Sequence, residues 1–272
     1  MVDNRAAFDR ERIRFETCVD FAISVSKLSA GRHANMPRLM ASYVFTRTCV
    51  SADSLRYLLR REIGESTDVT LDHYSISVLA RNIVEASLMF HYLMQDDVSN
   101  DEWSLRGKIL YLHDVVLKLR LFKSIDAAKQ YEKFRQAMAE LRDEIKESPA
   151  FKGLDAKRQE KILAGHELYL SGLRSTLKLV DIDSDYFDGM YAYLSTQVHI
   201  SPSSFFEMDK RISFSTPANY QYYFAAYALS HTRMLLLRAS IRLVESDPAL
   251  GAKIEADSLH SMKELAGVPF GD

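Results

Sequence analysis

Glycine and proline are scarce in this chain, with 10 glycines and 6 prolines among 272 residues. An all-β protein needs turn residues every few positions, and a nucleotide-binding α/β fold needs a glycine-rich loop, so the shortage argues against both classes. Long apolar runs are missing too, since the longest, such as 222–229, fall far short of the ~18 residues that cross a bilayer. The first residues have no apolar segment or cleavage site of a signal peptide. We therefore expect a cytoplasmic protein without a membrane segment.

Cysteine is almost absent, and Cys18 and Cys49 both lie among apolar residues in helical patterns. We expect two reduced, buried thiols, because a disulfide is disfavoured in a reducing compartment. The 8 histidines form no metal-binding motif, and neither a P-loop nor a dinucleotide-binding motif is present. The sequence therefore predicts no metal and no cofactor. A formal net charge of −2 also provides no overall field that would attract nucleic acid.

Apolar residues recur with the 3.6-residue period of an α-helix along nearly the whole chain, and strand-like alternation is missing. The predicted helices are 5–30, 36–62, 71–95, 102–122, 125–147, 155–180, 185–199 and 218–246, with a short one near 255–265. We expect a single all-α domain over residues 1–272, a bundle of about eight helices with no sheet. Its core is expected over 36–246, with the helix 5–30 and the segment 247–272 at the periphery.

The third predicted helix contains a charged pair but is otherwise apolar almost all round. Arg81 and Glu85 are one turn apart, and Tyr92 follows on the same face. Charges on a central helix cost free energy unless they are paired and hydrogen-bonded. The pair is therefore a structural bridge between helices, a functional site, or an exposed ion pair.

A second polar group closes the helix predicted over 185–199. Ser195 and His199 are one helical turn apart, and Pro202 stops the helix just after them. A histidine in the last turn lies at the negative end of the helix dipole, which favours its protonated form. Its ring can act as a base, an acid or a phosphate ligand, or it can simply cap the helix. Without a Gly-x-Ser-x-Gly elbow, the Ser–His pair does not by itself indicate a hydrolase.

Two segments together resemble an uncharacterised family of bacterial helical-bundle proteins. They read Ala80-Arg81-x-x-x-Glu85 and Tyr191-x-Tyr193-Leu194-Ser195-x-x-Val198-His199-x-Ser201-Pro202. The resemblance covers about residues 40–245. The family in turn looks distantly similar to the HEPN superfamily of all-α nucleotide-binding and ribonuclease proteins, which are common in toxin–antitoxin and phage-defence systems. It implies a homodimer and a partner encoded by a neighbouring gene. The Arg-x4-6-His motif of HEPN ribonucleases is absent at His199.

The resemblance favours an effector that acts on RNA or a nucleotide, with metal-independent, ribonuclease-like or nucleotide-processing chemistry. His199 would act as base on a ribose 2′-hydroxyl, and Arg81 would stabilise the developing negative charge. Glu85 would orient one of these two side chains. The residues expected to bind the substrate are Ser195, Ser201, Tyr191 and Tyr92.

Two alternatives stay open, and neither requires an enzyme. One is a helical scaffold that binds a partner, with the polar residues forming a structural network. That network would consist of Arg81, Glu85, Ser195 and His199. The other is a small-molecule binding bundle, with the same residues lining a pocket beneath the segment 200–217.

Overall fold

The computed structural model describes residues 4–32, 35–59, 71–199, 202–206 and 217–271. In these ranges the chain is helical and has no strand, which confirms the all-α class. The chain divides into two compact units. Unit 1 comprises Met1–Met94 and Val180–Asp272, and unit 2 comprises Gln95–Leu179. Unit 2 is therefore an insertion between the two parts of unit 1, while the single domain expected over the whole chain stays a prediction.

The described residues form more helices than the sequence predicts. In chain order they are α1 (Asn4–Ser29), α2 (Met36–Leu59), α3 (His73–Leu93), α4 (Asn100–Ser124), α5 (Ala128–Glu147), α6 (Pro149–Lys152), α7 (Ala156–Leu163), α8 (Leu173–Leu179), α9 (Ser184–Val198), α10 (Pro202–Phe205), α11 (Asn219–Ser246), α12 (Pro248–Gly251) and α13 (Ala256–Gly267). The prediction of about eight helices was too low. Its error comes mainly from short helices of one or two turns, which carry too little periodicity to be seen in a sequence.

The central helix of unit 1 is α11, and more than half of its residues are buried. α1 runs parallel to it, because Asn4 bonds to Asn219 at one end and Arg32 bonds to Asp247 at the other. α1 was expected at the periphery, but its apolar face is fully buried against α2 and α11. The fully buried residues of that face are Phe15, Cys18, Val19, Ala22 and Val25.

The helix α3 also runs parallel to α11. Gln221 donates to the carbonyl oxygen of Leu71 at 2.8 Å, and Arg242 donates to that of Met94 at 2.9 Å. α2 lies antiparallel to α1 and α3, and α9 lies antiparallel to α3 and α11. Unit 1 is therefore an up-and-down packing of five long helices, with α12 and α13 packed on α11.

In unit 2, α4 packs against α5 and α6. Its buried core consists of Leu105, Ile109, Leu112, Val115, Leu119, Leu141, Ile145, Phe151, Ile162 and Leu170. The helix predicted over 155–180 was wrong as one element, because the chain forms α7 and α8 with a break between them. Gly165 and Gly172 in this break have φ of +72° and +85°, a left-handed backbone that ends a helix and favours glycine.

Both thiols are free and buried, as predicted. Burial raises the pKa of both thiols, that of Cys49 to about 12, so neither is a thiolate at neutral pH. In the described part of the chain, no helix is long and apolar enough to span a membrane.

Candidate functional site

Three of the predicted site residues meet where α9 crosses α3. Arg81 Nη2 donates to the Tyr191 hydroxyl at 2.8 Å and lies 3.0 Å from Glu85 Oε1. The same hydroxyl donates to Glu85 Oε1 at 2.5 Å. The guanidinium carbon of Arg81 also lies 4.9 Å from the centroid of the Tyr191 ring, a cation–π contact. We call these residues the α3–α9 triad, in which each member contacts the other two.

The position of the triad follows from local signals in both helices. Arg81 and Glu85 are neighbours on α3 because they are one turn apart. α9 begins at Ser184 because the side chain of Asp183 accepts hydrogen bonds from two backbone N–H groups of its first turn. The tyrosine two turns further along α9 then projects onto α3.

The electrostatics of the triad keep Arg81 charged and Tyr191 neutral. Burial opposes the charge of Arg81, but its bonds to Tyr191 and Glu85 outweigh burial and raise the pKa of the guanidinium. Burial raises the pKa of Tyr191, and the bond to Glu85 raises it further. The Arg81 side chain is 19% exposed and that of Glu85 is 45% exposed. The triad is thus an ion pair with a shared hydroxyl at the edge of the core, in which the buried Nε of Arg81 has no hydrogen-bond partner among the described residues.

His199 lies apart from this triad. It is the residue that ends α9, its side chain is exposed, and its backbone N–H bonds to the Ser195 carbonyl. It follows Tyr191 by eight residues, which places it about 12 Å further along the helix axis. No hydrogen bond joins the His199 side chain to Arg81 or Glu85 among the atoms that the structure describes. The structure therefore does not assemble the predicted base with the predicted charge-stabilising group.

The remaining predicted residues have separate surroundings. The Ser195 hydroxyl donates to the carbonyl oxygen of Tyr191 one turn earlier, at 2.6 Å. Tyr92 is only 3% exposed, in the core of unit 1. Ser201 falls outside the described residues, as does most of the segment 200–217. Their roles as substrate-binding residues stay predictions.

A tyrosine–histidine pair between α9 and α11 was not foreseen. The Tyr186 hydroxyl and His231 Nε2 are 2.5 Å apart, and His231 Nδ1 lies 2.6 Å from the Tyr227 carbonyl oxygen. The carbonyl can only accept, so Nδ1 carries the proton and Nε2 accepts from Tyr186. Burial lowers the pKa of His231, which keeps the ring neutral and suited to this arrangement. No sequence signal links positions 45 residues apart on different helices.

A row of exposed apolar side chains runs along α2 in unit 1, apart from the α3–α9 triad. The members are seven residues apart: Met36, Tyr43, Val50 and Tyr57, with exposures of 66%, 65%, 62% and 80%. We call this row the α2 stripe. Such spacing keeps all four side chains near one line along the helix, on the side away from the core. Among the described residues, no group of acidic, histidine or cysteine side chains is arranged to hold a metal ion.

Comparison with known proteins gives one match. No curated protein and no solved structure matches the chain. One family model matches residues 38–213, a range that contains α3, unit 2, α9 and all but the first turn of α2. The match includes the α3–α9 triad and covers more than half of the chain. The protein therefore belongs to DUF5677, a family of unknown function.

Proposed function

We propose that this protein is a non-catalytic helical scaffold that acts by binding a protein partner. The observation that carries the proposal is that the three residues of the α3–α9 triad bond to one another across two helices. The charge of Arg81 is balanced by Glu85, and the Tyr191 hydroxyl both accepts and donates within the triad. Hydrogen-bonding groups used in this way fix the register of two helices. They do not meet His199, which a ribonuclease-like mechanism would require.

The partner in this proposal is a second copy of the chain, which binds through the α2 stripe. Tyrosine and methionine are enriched in the cores of protein interfaces, and charged residues are depleted there. Along the stripe, Asp53 is within ion-pair distance of Arg56, so its charge is already balanced. Symmetric dimers are the commonest soluble oligomers.

Equal spacing makes the α2 stripe complementary to itself. A twofold axis between Tyr43 and Val50 would place Tyr43 of each copy against Val50 of the other copy. The same axis would pair Met36 with Tyr57. The stripe extends over about 32 Å at 1.5 Å per residue, enough for a helix pair of four turns or more.

Sedimentation equilibrium tests this proposal directly. We expect the wild-type protein to have the mass of two chains at micromolar concentration and Val50→Lys to have the mass of one, with an unchanged helix content by circular dichroism. Leu117→Lys is the matched control, because it places the same charge on an exposed apolar position of α4 in unit 2. A wild-type protein that stays monomeric at about 100 micromolar would refute the dimer, because an interface of standard size would associate at that concentration.

Expression in cells tests whether the scaffold is free of enzymatic activity. The competing hypothesis, a HEPN-like effector with His199 and Arg81 in catalysis, predicts growth arrest and cleavage of total RNA. We expect intact RNA and unchanged growth with the wild-type protein. RNA cleavage that is lost in folded His199→Ala and Arg81→Ala variants would overturn the scaffold proposal. Cleavage that persists in both variants would overturn it as well and would place the active site elsewhere.

A further inference from the structure

Unit 1 contains a cavity at the end of the bundle where α12 follows α11. Its volume is about 480 Å³, within the range of about 300–1,000 Å³ that is typical of small-molecule sites. The lining comes from α1, α2, the end of α3 and the α11–α12 junction. The residues used below are Arg32, Arg38, Ser42, Met94, Leu243 and Asp247. None of them belongs to the α3–α9 triad or the α2 stripe.

One of the two arginines in the cavity is already neutralised. Arg32 Nε and Nη2 donate to the two carboxylate oxygens of Asp247 at 2.8 and 3.0 Å, a bidentate pair. Asp247 Oδ1 also accepts from the backbone N–H groups of Ala249 and Leu250 at the start of α12. These four hydrogen bonds occupy the carboxylate and hold it against Arg32.

Arg38 is the other arginine, and its charge is not balanced in this way. Its Nη1 donates to the carbonyl oxygen of Ser246 at 3.1 Å, which is a neutral acceptor. Within the described part of the chain, no carboxylate lies at ion-pair distance from Arg38. Ser42 lies one helical turn further along α2, on the same face, and also lines the cavity. The cavity therefore has one excess positive charge with a hydroxyl beside it.

The opposite part of the lining is apolar. Met94 and Leu243 are 4% and 9% exposed and belong to the core of unit 1. A ligand that matched the whole cavity would therefore combine one anionic group with an apolar body. A guanidinium fork suits the paired oxygens of a carboxylate or phosphate.

We propose that this cavity binds a small organic anion, with its charged oxygens on Arg38 and Ser42 and its apolar part against Met94 and Leu243. The excess of one positive charge matches a ligand with one negative charge. This site is separate from the proposed self-association, because Arg38 and Ser42 lie on the inner side of α2 and the α2 stripe lies on the outer side.

A pair of fluorescent probes of similar shape tests the proposal. The first, 1-anilinonaphthalene-8-sulfonate, has one negative charge on an aromatic body, and the second, N-phenyl-1-naphthylamine, lacks the charge. We expect the anionic probe to bind the folded wild-type protein with one site per chain. Arg38→Met should weaken the anionic probe at least tenfold and change the neutral probe less than twofold. Arg10→Met, at an exposed position near the start of α1 that does not line the cavity, is the control and should change neither.

A second variant locates the probe within the cavity. Ser42→Phe would fill part of the cavity and should abolish binding of the anionic probe, while circular dichroism shows an unchanged helix content. An anionic probe that does not bind the wild-type protein, or binds Arg38→Met and Ser42→Phe as tightly as wild type, would refute the proposal. So would equal loss in Arg10→Met, because it would indicate a general charge effect.

Competition against the anionic probe then separates the two anionic groups. We expect benzoate or phenyl phosphate to displace the probe, and benzyl alcohol to displace it at least tenfold less well. Displacement by benzoate alone would assign the site to carboxylates, and displacement by phenyl phosphate alone would assign it to phosphate esters. Equal displacement by benzyl alcohol would refute recognition of the charge. The mass of the protein is measured in the same samples, so failure of this site and failure of the dimer give different results.

Discussion

Arg233 on α11 forms an ion pair with Glu11 on α1, with 3.1 Å between Arg233 Nε and Glu11 Oε2. The Arg233 side chain is fully buried and that of Glu11 is 4% exposed. The same guanidinium donates to the carbonyl oxygens of Leu265 and Val268 at the end of α13. One side chain therefore joins the central helix to the first and last helices of unit 1.

Removing this guanidinium should strongly destabilise the protein. Arg233→Met removes the fully buried partner of Glu11 and leaves the carbonyl groups of Leu265 and Val268 without their donor, and breaking a buried pair costs about 3–5 kcal/mol. Urea unfolding at neutral pH measures the loss. Arg14→Met is the control, since Arg14 also pairs with Glu11 but is 26% exposed, and its loss should cost about 1 kcal/mol or less. A loss below 1 kcal/mol for Arg233→Met would contradict the structural role of the pair.

The shared hydroxyl of the α3–α9 triad should contribute to stability. Tyr191→Phe removes two hydrogen bonds and keeps the ring over Arg81, so we expect a loss of about 1–3 kcal/mol in the free energy of unfolding. Thermal and urea denaturation measure it. Tyr111→Phe, at a half-exposed position of α4, should change stability by less than about 0.5 kcal/mol. Equal effects of the two substitutions would show that the shared hydroxyl contributes nothing.

Stability should fall as the pH is lowered from about 6.5 to about 4, in part through His91. Burial, with the charges of Arg242 and Arg238, lowers the pKa of His91 from 6.5 to about 4. Between these values the unfolded chain binds a proton and the folded chain does not, so lower pH favours unfolding. The difference corresponds to about 3 kcal/mol at pH 4 and vanishes above pH 6.5.

The variant His91→Leu checks this dependence. Between pH 6.5 and pH 4, its free energy of unfolding should depend less steeply on pH than that of wild type. The substitution breaks no hydrogen bond of Nε2, because that atom has no partner among the described residues. The exposed histidine at position 260 gives the control, His260→Leu, which should keep the slope of wild type. Identical slopes in His91→Leu and wild type would rule out this source of acid sensitivity.

Glycine at position 165 should be irreplaceable in unit 2. A Cβ there would lie 2.6 Å from Val116 Cγ2, and the backbone has a φ of +72°. Gly165→Ala should therefore lose about 1–3 kcal/mol through strain and contact with Val116. Adding Val116→Ala should recover only the part due to contact.

The matched control for this substitution lies inside α4. A Cβ at Gly107 would meet no atom within 4 Å, and its φ is not positive. Gly107→Ala should raise the free energy of unfolding by about 0.5–1 kcal/mol, because alanine favours a helix interior. Both variants are measured by thermal denaturation, and destabilisation by Gly107→Ala would show that the backbone argument fails.

Most long helices could be predicted because their periodicity is local. Both ends of these helices lie within three residues of the predicted bounds in α1, α5, α9 and α11. The break between α7 and α8 was missed because its apolar residues keep a helical spacing across Gly165. Only the left-handed backbone of that glycine reveals the break.

The site was harder to predict, since it depends on contacts between distant segments. The pairing of Arg81 with Glu85 follows from a separation of one turn. Tyr191 was singled out as a substrate-binding residue, but its partners became visible only when α9 was packed on α3. His199 and Arg81 were grouped because both are polar residues on apolar helices, and sequence alone gives no distance between them. Arg233 and Glu11 are separated by 222 residues, and neither position has a local signal of burial.

The insertion of unit 2 sets the order in which the protein can form during synthesis. The contacts of unit 2 lie within residues 95–179, so that unit is complete while the C-terminal part is still being translated. α1 and α3 instead pack on α11, and about 150 residues separate the end of α3 from the end of α11. At about 5–20 residues per second, the apolar face of α3 waits roughly 8–30 seconds for that helix, and that of α1 waits longer. In this interval the nascent N-terminal helices present the kind of surface that chaperones bind.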